Sequence, residues 1–115
     1  MVAFGLSGGQ AMAEDVTKGV FIKIEFTVKD ERRPEFMEIM TTLNTGMATE
    51  QGFISAEVYI DVDHSEKITL IEKWETRKSH EHHYQVIVDN GSWQGILDML
   101  TENPKMRYVR EIQVN

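Results

Sequence analysis

The sequence predicts an α+β fold, a ferredoxin-like split βαβ domain in which the order β-α-β-β-α-(α)-β sets helices on one face of a four-stranded antiparallel sheet. Three observations carry this. Four stretches alternate apolar and polar residues with the period of a strand, two others repeat at the 3.6-residue period of a helix, and 115 residues leave room for one compact domain. Hydrophobic residues at 41% and charged residues at 27% suit an ordinary globular core.

Residues 1–18 are rich in glycine and small side chains and show neither period, so they are expected to be a flexible N-terminal arm before a domain spanning 19–115. Ala11-Met12-Ala13 resembles a signal-peptidase site, but residues 1–10 lack the basic leader and apolar run of a complete signal peptide. The cytoplasm is therefore the expected compartment, with export of a protein carrying a longer leader as the alternative.

Val20, Ile22, Ile24, Phe26 and Val28 alternate with Phe21, Lys23, Glu25 and Thr27 as a first strand with one buried face. Asp30 is placed to cap a helix that tolerates Pro34 in its first turn and buries a stripe of Phe36, Ile39, Met40, Leu43 and Met47, with Gln51-Gly52 as its stop. Residues 53–62 alternate again, with Ile54, Ala56, Val58 and Ile60 on one face and Phe53, Glu57 and Tyr59 on the other. The polar turn at 63–66 makes a hairpin with a third strand over 67–75. Thr76 caps a second helix with the inward stripe His80, His83, Tyr84 and Ile87, which ends at Asn90-Gly91. Ser92 caps a short third helix carrying Trp93, Ile96, Leu97 and Leu100, Asn103-Pro104 stops it, and residues 106–114 form the last strand.

Twelve Lys and Arg against nineteen Asp and Glu give a formal net charge of −7, which leaves no basic surface for counterion release from nucleic acid or for anionic lipid. No apolar run reaches the roughly 18 residues of a membrane span. Nucleic acid and membrane are excluded as expected partners. Without cysteine there is neither a thiolate nucleophile nor a zinc-thiolate site. Helices cover only one sheet face, and Phe53 and Tyr59 lie on the other face of the second strand, so a second copy of the chain is expected to cover it as a homodimer.

Glu50-Gln51-Gly52 closing the first helix, Glu57 and Tyr59 on the second strand, Glu72-Lys73-Trp74-Glu75 ending the third, and His83 nine residues after Trp74 stand in this order within the topology. Over residues 20–114 the sequence resembles the antibiotic biosynthesis monooxygenase family, whose members are dimeric α+β barrels. The resemblance implies a pocket between sheet and helices in each protomer, where several relatives oxygenate or isomerise small aromatic or carbonyl compounds without metal or flavin. It further implies that Trp74 and His83 occupy pocket positions. Some quinone-forming relatives carry an Asn four residues before this Trp, where this chain has Leu70. Haem-degrading relatives carry an Asn, Trp and His triad, where this chain has Lys23, His83 and Trp93.

The chemistry then follows from residue types. His83 can move a proton near neutrality, Trp74 offers a flat apolar surface with one N–H donor, and Glu72, on the same strand face as Trp74, would have its pKa raised by an apolar pocket and could serve as acid or base. These three are the expected catalytic set, with His80, Tyr84, Tyr59 and Leu70 as substrate contacts. Each also has a plain reading: Trp74 as a core indole, His83 as a hydrogen-bonded helix histidine, Glu72 as the partner of a Lys or Arg. The run His80-Glu81-His82-His83 sets only His80 and His83 on one helical face, so no metal site is expected. The expected partners are a small phenol, quinol or polyketide-like aromatic and molecular oxygen, with no cofactor. The alternatives are a non-catalytic small-molecule-binding or stress-associated protein and an isomerase of a small carbonyl compound.

Overall fold

A computed structural model describes residues 19–115. The expected arm at 1–18, with its Ala11-Met12-Ala13 pattern, lies outside the described residues. Strands β1 (Val20–Thr27), β2 (Phe53–Ile60), β3 (Lys67–Trp74) and β4 (Lys105–Val109) form one antiparallel sheet in the order β2-β3-β1-β4. This is the ferredoxin-like order, with the first and third strands central and the α+β topology as expected. Its register sets Ile22, Ile24 and Phe26 of β1 beside Glu72, Leu70 and Ile68 of β3 on one face. Against that face pack Phe36, Met40, Met47, Met99 and Leu100, which completes the core. Among the described residues no helix is long and apolar enough to cross a membrane.

The first helical segment is broken where a single helix is expected. A 3-10 turn, Asp30–Arg32, leads into α1 (Arg33–Thr41), and α2 (Leu43–Gly46) follows after Thr42. Asp30 makes no side-chain cap; its carboxylate pairs instead with Arg33. The break has a local cause, since the Thr41 and Thr42 hydroxyls donate back to the carbonyls of Met37 and Glu38, bonds that compete with the helical ladder. The helix therefore ends at Gly46, before Gln51-Gly52. Asn44 then pairs its side-chain amide with both the N–H and the C=O of Ala56, at 2.9 and 3.0 Å, and so satisfies the backbone of the edge strand β2.

A register shift between Phe53 and Ser55 corrects the faces expected for β2. Phe53 pairs with Trp74 and packs edge-on against its ring, while Ile54 is turned out, because a bulged strand gains one residue and inverts the alternation on one side of it. Thr76 caps α3 (Arg77–Asp89), accepting from the Ser79 N–H at 3.0 Å. Gly91, in the left-handed region at φ 87°, opens α4 (Ser92–Leu97), so Ser92 is the first helical residue and Asn90 accepts its N–H. Helix α4 stops at Leu97, ahead of Asn103-Pro104, because the chain after it is stitched to the end of β1: Leu100 bridges Val28 and the Thr101 N–H donates to Thr27. The last strand stops at Val109, where its partner β1 is nearly exhausted at Phe21, and Ile112 and Val114 are exposed.

Candidate active site

Because Thr76 fixes the start of α3, residues 80, 83, 84 and 87 share the helical face turned to the sheet. Strand alternation turns Leu70, Glu72 and Trp74 of β3 toward the same space. Between these elements and α1, α2 and α4 lies a cavity of about 470 Å³ bordered by Leu70, Glu72, His80, His83, Tyr84 and Glu50. Met40, Met47, Met99, Met106 and Trp93 supply much of its apolar wall. Long thioether side chains make such a wall adaptable to flat ligands.

The polar groups on this wall are few and mutually held. His83 Nδ1 lies 2.7 Å from Glu50 Oε1. A carboxylate only accepts, so Nδ1 is the donor of this bond, and whenever the ring is neutral its lone pair stands on Nε2. Glu72 is 5% exposed, and its Oε1 accepts the Trp74 indole N–H at 2.9 Å. Burial pushes the Glu72 carboxyl above its ordinary pKa, opposed by the Trp74 N–H and by His83. His80 Nδ1 lies 2.8 Å from the Tyr108 hydroxyl. Burial, reinforced by neighbouring His83, pulls His80 down to about 4, so its ring is neutral across the physiological range.

Trp74 is fully buried and does not border the cavity. It stands behind the histidines, 5.1 Å from the His83 ring and 5.8 Å from the His80 ring between centroids, and its one donor is occupied by Glu72. The indole thus backs the wall instead of presenting a face to a ligand. Tyr59 departs furthest from expectation. It pairs with Thr69, out of phase with Leu70 and Glu72, so it lies on the outer sheet face, half exposed, with its hydroxyl donating to Glu57. Leu70, His80 and Tyr84 do border the cavity with His83 and Glu72. His82 is exposed, and among the described residues no three His, Cys, Asp or Glu side chains stand in metal-binding geometry.

Two residues of the constellation are absent from the expected site. Glu50 was legible only as part of Glu50-Gln51-Gly52, a turn that no periodicity aims at His83. Tyr108 follows from alternation with Met106 along β4, both on the inner face beside Ile24 and Ile22.

Comparison with known proteins places the fold in a family. The profile of the antibiotic biosynthesis monooxygenase family matches residues 19–85, more than half of the chain. The chain belongs to that family. Solved structures repeat the fold at low identity. A conserved protein from Methanosarcina mazei Go1 has 21% identity and a TM-score of 0.72 over 84% of this chain and 96% of that one. Rv0793 from Mycobacterium tuberculosis has 16% identity and a TM-score of 0.70 over 84% and 97%. SnoaB, a cofactor-independent oxygenase from Streptomyces nogalater, has 13% identity and a TM-score of 0.72 over 84% and 96%. At such identities the likeness is one of fold. A search of curated proteins gives no match.

Proposed function

We propose that this member of the antibiotic biosynthesis monooxygenase family is a cofactor-independent monooxygenase that oxidises a small phenol, quinol or polyketide-like aromatic in the cavity beside α3. The observation that carries the reading is the His83–Glu50 pair on the wall of a largely apolar cavity, a base oriented by a carboxylate next to a space suited to flat rings. SnoaB bears the description of a cofactor-independent oxygenase, which supports the same chemistry for a chain of this fold.

In this mechanism His83 Nε2 removes the acidic proton of the substrate, and the resulting carbanion reduces dioxygen, forming a C–O bond and a peroxide anion. Glu72, held toward its neutral form by burial, or protonated His83 returns a proton to the peroxide. Loss of water across the C–H and O–O bonds then leaves a carbonyl, so substrate CH₂ and O₂ become C=O and H₂O. Trp74 holds Glu72 in place, and the apolar walls keep bulk water from the carbanion.

Oxygen uptake across hydroquinones, naphthols and anthrones tests this. Wild type should turn over at least one class, and His83→Ala should lose about 10²- to 10⁴-fold in rate. Equal rates for the two proteins would remove His83 as the base. Leu70, where some quinone-forming relatives carry an Asn, favours a second reading: binding of a small molecule without oxidation, or isomerisation of a carbonyl compound by the two proton-carrying groups His83 and Glu72. Ligand binding without oxygen uptake on any substrate would favour it.

A further inference from the structure

His80 is the buried titratable group that the mechanism above leaves unused, and its surroundings are ordered from the surface inward. The Arg77 guanidinium lies over the Tyr108 ring, with Cζ 4.1 Å from the centroid, and Arg77 also pairs with Glu81 at 3.4 Å. The Tyr108 hydroxyl stands 2.8 Å from His80 Nδ1. His80 itself is 4% exposed, packed among the rings of Trp74, His83, Tyr84 and Tyr108, and it borders the cavity.

The direction of this chain of contacts decides what His80 offers. Arg77 carries donors only. Burial and the charge of Glu81 raise the Tyr108 hydroxyl while Arg77 lowers it, so the group is a neutral phenol, and the guanidinium over its ring offers the phenolic proton no acceptor. The phenolic proton is then directed to its partner, His80 Nδ1. With Nδ1 accepting, a neutral imidazole carries its own proton on Nε2. His83 has the opposite arrangement, since Glu50 fixes its proton on Nδ1. Two histidines with ring centroids 6.2 Å apart on one helical face are thereby held as opposite tautomers, one with a lone pair and the other with an N–H.

We propose that His80 is the hydrogen-bond donor for the substrate's oxygen, held in its Nε2–H tautomer by Arg77 and Tyr108, and that it fills the role left open by Leu70. The proposal rests on the cavity being the reaction site and deepens that reading. A neutral donor suits this role because it stabilises charge as it builds on the substrate oxygen without giving up a proton that would quench the carbanion. An imidazolium would be the stronger acid, and burial among the rings of Trp74, Tyr84 and Tyr108, beside His83, keeps His80 from that form.

Two measurements test it, and the first needs no turnover. Nitrogen-15 NMR of the histidine rings between pH 6 and 8 should give His80 as the neutral Nε2–H tautomer and His83, when neutral, as the Nδ1–H tautomer. Tyr108→Phe should convert His80 to a tautomer mixture without changing His83. A neutral Nδ1–H form or an imidazolium at His80 in wild type would overturn the proposal whatever the enzyme does. The second compares 1-tetralone with tetralin, the same two rings with and without a carbonyl. Wild type and His80→Gln, which keeps an N–H, should prefer the ketone by about two- to tenfold more than His80→Ala does. An equal preference in all three overturns the donor role. On an oxidisable substrate, His80→Ala should lower kcat by about 10²-fold or more with little change in KM, partly restored in His80→Gln. If wild type oxidises nothing while the tautomers and the ketone preference stand, the oxygenase reading fails and the donor site survives.

Discussion

His80 and His83 are three residues apart on one turn of α3, yet their surroundings set their protons differently. His83 meets the Glu50 carboxylate, whereas His80 meets a phenol and is packed among aromatic rings. The His80 shift has a consequence for stability. Its folded pKa, about 4, lies below the ordinary 6.5, so an unfolded chain takes up a proton that the native protein refuses. His80 therefore contributes a loss of stability as pH falls from about 6.5 to about 4, and little further change below that. Because the ring borders a cavity that water can enter, the effect is expected at about 1 to 2 kcal/mol, less than the full shift would give. Glu72 acts in the other direction: its raised pKa means that stability is lost as pH rises above about 4.5, until the native carboxyl also ionises. Urea unfolding at pH 7 and pH 4.5, at one protein concentration, should show wild type losing about 1 to 2 kcal/mol more than His80→Gln. Equal losses would show that His80 is protonated in the folded protein at pH 4.5. Exposed pairs such as Arg32–Glu35 are common to both proteins and cancel in the comparison.

At the scale of elements, the loop carrying Glu50 is fastened to the helix carrying His83 at Gly52. This residue has φ 83°, its carbonyl accepts the Glu75 N–H at 2.7 Å, and a Cβ built on it would stand 2.4 Å from Ser79 Oγ. Gly52→Ala should therefore both strain the backbone and push α3 away from the loop, costing roughly 2 kcal/mol or more and weakening the Glu50–His83 contact. Gly91 is the control, with φ 87° but open space around its Cβ position. Gly91→Ala should cost only the backbone part, about 1 kcal/mol, and leave oxygen uptake or ligand binding unchanged. Thermal unfolding of both variants checks this, and equal midpoints would show that the contact with Ser79 is not what makes Gly52 necessary. These elements also show where sequence reading succeeds. Period and capping are local, so β1, the hairpin, the Thr76 cap and the stripe His80, His83, Tyr84 were legible. The bulge at Ile54 was not, since it depends on how Phe53 packs against Trp74 across the sheet. Likewise Glu50 meets His83 across 33 residues and Tyr108 meets His80 across 28, distances over which no periodicity carries information.

For the whole molecule, the remaining asymmetry is that helices cover one sheet face and leave the other bare. That face carries Phe21, Ile71, Tyr59 and Val109 among Lys23, Glu25, Glu57 and Lys73, with the Lys73 ammonium over the Phe21 ring. Phe53 turns inward at the bulge, so the face is less apolar than the sequence suggests, though Ile54, Tyr59 and Val109 remain exposed. Strands about 4.8 Å apart and up to eight residues long make this face roughly 500 Å², against about 800 Å² per partner in a standard stable interface. A pair of such faces would thus need help from flanking segments, and Ile112 and Val114 of the exposed tail beside β4 are suited to give it. The expected assembly is a homodimer, seen as twice the chain mass in sedimentation at micromolar concentration. Ile71→Asp in the central strand and Tyr59→Asp in the edge strand should each shift it toward monomer, with the larger effect at Ile71. The cavity lies between the sheet and its helices, on the side away from the bare face, so a dissociated protomer that keeps its far-UV circular dichroism should still bind the same ligand. A wild type that sediments as a monomer would overturn the assembly, whereas monomeric variants that lose binding while remaining folded would show that the partner helps shape the cavity.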